Sequence, residues 1–349
     1  MLSLSSAPRV LVIVPLLNEA GLIAAKLANL GQFTYPADRR HIVLVDGGST
    51  DGTVEYIDRW VAVRTGFSAL RTTLRNKTTQ IAAALAQHPA TEWILVTDAD
   101  ALLPADILEQ LVMVACSDDS VGVVGTPVRP RHAHALERLH WRFADWLRER
   151  EYHAGCAAIV AAPCYLAQRS LVADMPADTI ADDVHVACRA MAAGRRVGFQ
   201  KSALVIEMRS PTTVVRLFGH KYRKAGAYLR EIFRFLPQIR RMPMPIRLVF
   251  LWRAVVIVTG PIAAVALSGA VLSAMWTAAW GPSHALGAAA VLATAAWKRG
   301  RDSFQVAALG VLLVCATVVA LFTYPFSRQT ASFSKVLGPS ELQIAGNAE

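Results

Sequence analysis

The sequence predicts an α/β fold with a mostly parallel sheet, followed by a basic amphipathic segment and three membrane-spanning helices. Short aliphatic runs alternate with helical patterns through the first half of the chain, and acidic or glycine-rich loops follow the runs. Long uncharged stretches occupy the C-terminal part. Composition points the same way: 54% of the 349 residues are apolar, yet the formal net charge is +10. A chain that is both basic and apolar suits a membrane surface. Nucleic acid is not expected as a partner, because the apolar excess lies at one end instead of a polar domain carrying the charge.

Residues 10–14 are a short aliphatic run stopped by Pro15, and Ile23, Leu27 and Leu30 then share a helical face that Gly31 closes. A second strand is expected over 41–45. It runs into Asp46-Gly47-Gly48-Ser49-Thr50-Asp51-Gly52, where the glycines let a ligand approach the backbone and Asp46 stands at a strand end. A third strand is expected over 61–65, a helix over 76–85 carries Lys77, and 93–96 form a fourth, fully apolar strand. Pro104 opens a helix with Ile107, Leu111 and Val114 on one face, and 121–126 form another strand. Residues 129–153 mix Arg, Glu and His with Trp141, Phe143 and Trp146, which fits an amphipathic helix lying over the sheet or on a membrane. His132 and His134 beside prolines and arginines read as solvated rather than metal-binding.

Two acidic pairs carry the chemistry. Thr97-Asp98-Ala99-Asp100 follows the apolar strand, and two carboxylates one residue apart at a strand end can converge on one cation. Mg²⁺ or Mn²⁺ takes one or two protein carboxylates and completes its shell with substrate phosphates, so Asp98 and Asp100 suggest a nucleotide diphosphate. Asp182 and Asp183 open a helix whose apolar positions are Val184, Cys188 and Met191. Acids there ordinarily serve the cap and the dipole, but adjacent carboxylates point in different directions, so one can cap while the other faces a cleft as a base.

From 209 to 253 eleven basic residues face one acid, Glu231, and Leu217, Phe218, Tyr222, Leu229, Phe233 and Leu236 interleave them. That pattern suits a helix in an anionic lipid interface. Residues 254–297 contain no Asp, Glu, Lys or Arg. As helix they would extend about 66 Å, roughly twice a bilayer core, so two spans are expected, at 254–275 and 277–297. A third uncharged span is expected at 304–326, with a tail over 327–349. Basic residues before the first span and after the second put both flanks, and the catalytic domain at 1–208, on the cytoplasmic side of a multi-pass inner-membrane protein. No secretory signal is expected, since the first apolar run is short and leads straight into Asn18-Glu19. The five cysteines show no Cys-x-x-Cys spacing and read as reduced thiols.

Pro15-Leu16-Leu17-Asn18-Glu19, Asp46 to Thr53, Thr97-Asp98-Ala99-Asp100 and Ala181-Asp182-Asp183 together resemble the family 2 glycosyltransferases, membrane-attached enzymes with a glycosyltransferase A-type domain. The resemblance spans about two hundred residues and implies that Pro15, Asn18, Glu19, Asp46, Gly48, Lys77 and Asp98 serve the nucleotide. It also implies that Asp98 and Asp100 hold the metal, and that Asp183, next to Asp182, is the base on the acceptor. The expected activity is inverting transfer from a UDP- or GDP-linked sugar to a lipid or glycan acceptor at the cytoplasmic face. Where processive members carry Gln-x-x-Arg-Trp, residues 220–226 match poorly, although Arg223 can still meet the diphosphate and Tyr222 can still stack on a sugar. The alternatives are a processive polysaccharide synthase of the same family and a non-catalytic nucleotide-binding membrane protein.

Overall fold

The computed structural model describes residues 7–277, 311–320 and 323. The elements run in order as β1 (Val10–Leu16), α1 (Ala20–Gly31), β2 (Arg40–Asp46), α2 (Thr53–Val61), β3 (Phe67–Arg71), α3 (Lys77–Gln87), β4 (Trp93–Thr97) and β5 (Ala101–Leu102). They continue with α4 (Ile107–Ser117), β6 (Val121–Gly125), β7 (Val128–Pro130), α5 (Ala135–His153), β8 (Cys164–Gln168) and α6 (Arg169–Val172). Last come α7 (Asp182–Ala192), β9 (Arg196–Phe199), β10 (Val205–Glu207), α8 (Val214–Phe235) and α9 (Met244–Thr277).

A seven-stranded sheet has the order β3-β2-β1-β4-β8-β6-β9, and β5-β10-β7 form a small second sheet. The large sheet is mostly parallel; only β8 runs against its neighbours β4 and β6. Every residue of β1 is buried. Leu11 and Ile13 enter the apolar cluster on one face, while Val10, Val12, Val14 and Leu16 enter the cluster on the other. Successive side chains point to opposite faces, so a strand covered on both sides must be apolar throughout. Each fully buried aliphatic side chain contributes about 1.5–3 kcal/mol through this burial.

The third strand differs from the expectation at 61–65. Val61 ends α2, Val63 is 75% exposed, and the strand begins only at Phe67, after Gly66 turns with φ +78°. β3 is an edge strand with partly exposed, mixed residues, which is why the more apolar stretch before it gives the stronger signal. The helix expected from residue 129 starts at Ala135, because Val128–Pro130 pair with β10. His134 caps that helix, its Nδ1 accepting the Leu136 N–H at 3.2 Å.

α8 docks a buried stripe against α7, with Ile232 and Phe235 in the apolar cluster that holds Val184, Cys188 and Met191, and Glu231 accepting a 2.7 Å hydrogen bond from His185. The first expected span falls within α9, and a helical stretch covers 311–320. Among the described residues no helix is long and apolar enough to cross a membrane. The expected span at 277–297, most of 304–326 and the tail at 327–349 lie outside the described residues.

Candidate active site

A cleft of about 210 Å³ opens where β1 and β4 end, walled on the far side by the start of α7 and the middle of α8. Of the residues singled out from sequence, Pro15, Glu19, Lys77, Asp98, Asp100, Asp182, Asp183 and Arg223 line it. The strand ends bring these together. β1 delivers Pro15 and the loop to Glu19, β4 delivers the acidic loop, and the helix N-termini of α3 and α7 face them.

Lys77 ties two of these groups to each other. Its Nζ lies 2.7 Å from Asp98 Oδ1 and 3.0 Å from Asp182 Oδ2, and Tyr165 in β8 donates its hydroxyl to Asp182 Oδ2 at 2.9 Å. Burial opposes the Lys77 charge, but Asp182 and Asp98 outweigh it and hold the ammonium protonated. Asp182 is therefore committed to Lys77 and Tyr165. Asp183 occupies the next position in α7, and burial, then the Asp182 charge, pushes its carboxyl up to about 6. Neither acid is the N-cap: that position is Ala181, without a side-chain cap, and both acids sit in the first turn, where the helix dipole favours them.

The acidic loop after β4 is pinned from three sides. Asp98 N–H donates to Pro163 O at 3.1 Å, Met208 N–H donates to Asp100 O at 2.7 Å, and Lys26 reaches under the loop from α1. The Lys26 ammonium is fully buried and donates to Thr97 Oγ1 at 2.9 Å and to the Ala101 carbonyl at 2.6 Å. Burial pulls its pKa down to about 8. Arg209 grips both carboxylate oxygens of Glu19 across 190 positions of sequence. Burial, then the Asp98 charge, pushes Asp100 up to about 6, and burial pushes Glu207 up to about 7.

Asn18, Asp46, Gly48 and Tyr222 do not line this cleft. Asn18, with φ +54°, receives Thr50 N–H on its Oδ1 at 2.7 Å, and its own N–H donates to Ser49 Oγ at 2.7 Å. Asp46 accepts the N–H groups of Gly48 and Ser49 at 2.9 and 3.1 Å. These residues lock the loop after β1 to the loop after β2. Tyr222 turns to the other side of α8, its hydroxyl 2.7 Å from Thr323 Oγ1, because one face of a helix cannot serve both the cleft and a neighbouring helix. The cleft instead receives His220, Arg223, Lys224 and Tyr228 from α8. Glu207 and Arg209 also line it, so the cleft draws on residues from both sides of the boundary expected at 208.

Lys26, Tyr165, Glu207, Arg209 and Lys224 escaped the sequence reading. Arg209 and Lys224 carry a sequence signal only as two bases of the cationic stretch 209–253, which by composition reads as an interfacial segment.

Among the described residues no three His, Cys, Asp or Glu side chains cluster as a metal site. Asp98 and Asp100 nevertheless fit a hard divalent cation: they offer oxygen only, and burial, then the Asp98 charge, disfavours an anionic Asp100, which a bound cation would offset. Two carboxylates suffice for Mg²⁺ or Mn²⁺ when phosphates and water supply the remaining oxygens.

Residues 11–202 match the protein family described as Glycosyl transferase family 2. An N-acetylglucosaminyltransferase of Rhizobium meliloti (strain 1021) is 24% identical over 254 residues, 67% of this chain and 58% of that protein. The succinoglycan biosynthesis protein ExoA of the same organism is 32% identical over 115 residues, 33% of this chain and 34% of that one. The chain thus spans 58% and 34% of the lengths of these curated relatives. Among solved structures, the mannosyltransferase PcManGT from Pyrobaculum calidifontis, in complex with GDP-Man and Mn²⁺, superposes with a TM-score of 0.73 at 26% identity, over 94% of this chain and 90% of that one.

Proposed function

The chain belongs to glycosyl transferase family 2, and from that premise we propose that it is an inverting, membrane-attached transferase. It moves a sugar from a UDP- or GDP-linked donor to a lipid or glycan acceptor at the cytoplasmic face of the inner membrane. The similar mannosyltransferase, bound to GDP-Man and Mn²⁺, supports a nucleotide-sugar donor and a divalent cation, and the uncharged stretches after residue 253 support the membrane.

One observation carries the mechanism: adjacent acids of α7 have opposite environments, Asp182 held by Lys77 and Tyr165 and Asp183 raised to about 6 in the cleft. Asp183 takes the acceptor proton, since a base works best with a pKa near the operating pH. The acceptor oxygen bonds to the anomeric carbon as that carbon's bond to the diphosphate breaks, and the bonding electrons leave with the diphosphate. Asp98 and Asp100 would hold Mg²⁺ or Mn²⁺, which when bound neutralises the leaving diphosphate. Lys77 keeps Asp98 and Asp182 in register meanwhile, and Arg223 and Lys224 place positive charge on the α8 wall.

The test is a screen of UDP- and GDP-sugars with purified full-length protein, Mn²⁺ and a total bacterial lipid extract, with products resolved by mass. Transfer from at least one donor is expected, lost in Asp98→Ala and Asp100→Ala together with Mn²⁺-dependent donor binding by calorimetry. No transfer or hydrolysis from any donor would leave only a nucleotide-binding protein. Unchanged metal-dependent binding in both variants would remove the metal role.

A further inference from the structure

We infer that the outer face of α5 docks on an anionic lipid bilayer, so that the catalytic domain itself rests on the membrane surface. The inner face of this helix is spent on the fold, burying Leu136, Trp141, Asp145 and Arg148. The outer face needs neither ring it carries. Phe143 and Trp146 are 53% and 49% exposed and stack with centroids 5.8 Å apart. Soluble surfaces scatter large rings singly, and a paired, exposed Phe and Trp marks a contact.

The charge around the pair says what kind. Arg138, Arg142, Arg150 and His153 are exposed on the same side, and the Arg150 guanidinium lies 5.8 Å from the Trp146 ring. The neighbouring acid, Glu149, is engaged by Lys201 at 2.8 Å. Basic side chains flanking Trp and Phe on one helix face are the composition of an interfacial helix, in which rings enter the headgroup boundary and cations meet anionic lipid.

Position supports the same partner. At its C-terminal end α5 holds α9 through a 2.6 Å pair between Glu151 and Arg253, the last charged residue before the uncharged stretch from 254. At its N-terminal end Leu136 packs with Leu217 and Leu312, and Leu139 joins that cluster with Leu313, inside the uncharged stretch 304–326. The exposed rings therefore lie between the two places where apolar chain meets the catalytic domain. The inference extends the membrane attachment proposed above. Its test reads a local environment rather than sugar transfer, so either can fail while the other stands.

The experiment uses the full chain with exposed Cys116 and Cys315 changed to Ser; the other cysteines are buried. A nitroxide is attached at Phe143→Cys, and in a second variant at Trp146→Cys, with Val63→Cys as the control. Val63 follows α2, beside β3 at the opposite edge of the large sheet from β9, against which α5 packs. The proteins are placed in nanodiscs of phosphatidylcholine with or without phosphatidylglycerol, and spin relaxation by oxygen is compared with that by a water-soluble nickel chelate. With phosphatidylglycerol, labels at 143 and 146 should collide severalfold more with oxygen and severalfold less with nickel than the label at 63. Arg142→Glu with Arg150→Glu should reverse this, since each basic residue near an anionic surface contributes about 1 kcal/mol, roughly fivefold. Nickel access equal to that at 63 overturns the inference. So does shielding from both reagents, which would mean that protein rather than lipid covers the helix.

Discussion

Asp182 and Asp183 are chemically the same side chain one residue apart, and their surroundings differ. Asp182 is held by an ammonium and a phenol, whereas burial keeps Asp183 raised to about 6. Asp183→Asn should slow transfer by about 10²- to 10⁴-fold with donor binding intact, the usual contribution of a positioned base. If instead Asp182→Asn has the large effect and Asp183→Asn the small one, the roles are exchanged. The wild-type rate should fall as pH drops through about 6. Stability runs the other way. A carboxyl raised on folding favours the fold most below the ordinary carboxylate range and loses that contribution as pH rises through about 6, so Asp183→Asn should gain in melting temperature over wild type above that pH. Lys26 gives the second residue-scale expectation. Lys26→Met takes the ammonium donor from the Ala101 carbonyl and from Thr97 Oγ1, which keeps its bond to the Pro163 carbonyl, so it should lose about 1–3 kcal/mol in denaturant melts and weaken Mn²⁺-dependent donor binding. The two acidic pairs were legible because acids at the boundary of an apolar pattern are conspicuous. Lys26 was not, because one Lys in an amphipathic helix reads as solvated and only the folded structure shows it pointing inward.

At the level of elements, the loop after β2 depends on a missing side chain. A Cβ on Gly47 would come within 2.2 Å of Gln80 Nε2 and 2.6 Å of the Leu74 carbonyl. Gln80 cannot step aside without cost, since its amide accepts Leu16 N–H at 3.1 Å and donates to Leu74 O at 2.7 Å. Gly47→Ala should therefore destabilise by about 1–3 kcal/mol or more, read by thermal unfolding, whereas Gly219→Ala, with nothing near its Cβ, should not. The strands 10–14, 41–45, 93–96 and 121–126 could be read because both faces of each are covered and the runs are almost wholly apolar, His41 and Thr126 standing only at their ends. β8 sits in the same sheet, yet Cys-Tyr-Leu-Ala-Gln is short and includes a tyrosine whose hydroxyl belongs to the site, so its pattern gave no strand signal. β5, β7 and β10 are two or three residues long, below the length at which periodicity exists.

Across the whole molecule, the cleft is assembled from distant parts of the chain. Pro15, Lys77, Asp98, Asp183, Arg209 and Lys224 all line it, and every one lies on a different element or connection. Order along the sequence disclosed Pro15, Asp98 and Asp183 through their motifs, and Lys77 at the start of an expected helix. It could not disclose that α8, which looks like a lipid-facing helix by composition, turns His220 and Lys224 along with Arg223 toward Asp182 and Asp183 while Tyr222 leaves toward Thr323. An amphipathic pattern records which side is apolar, not which neighbour that side meets.

The pair between Arg209 and Glu19 ties the loop after β1 to the segment after β10, so any fragment that ends before 209 loses it. The family match stops at 202, short of β10, which pairs with β5 and β7, and short of Met208, whose N–H holds the Asp100 carbonyl. A fragment covering 11–202 would leave the Glu19 carboxylate without its guanidinium and strip β5 of its neighbour. Losing one partner of a buried ion pair costs about 3–5 kcal/mol, a large share of what a domain has. Such a fragment should melt earlier and exchange the amides of residues 98–102 faster than one extended to 241, as hydrogen–deuterium exchange would read. The stretch matched by the family is thus narrower here than the web of bonds that holds Glu19 and the loop after β4 in place.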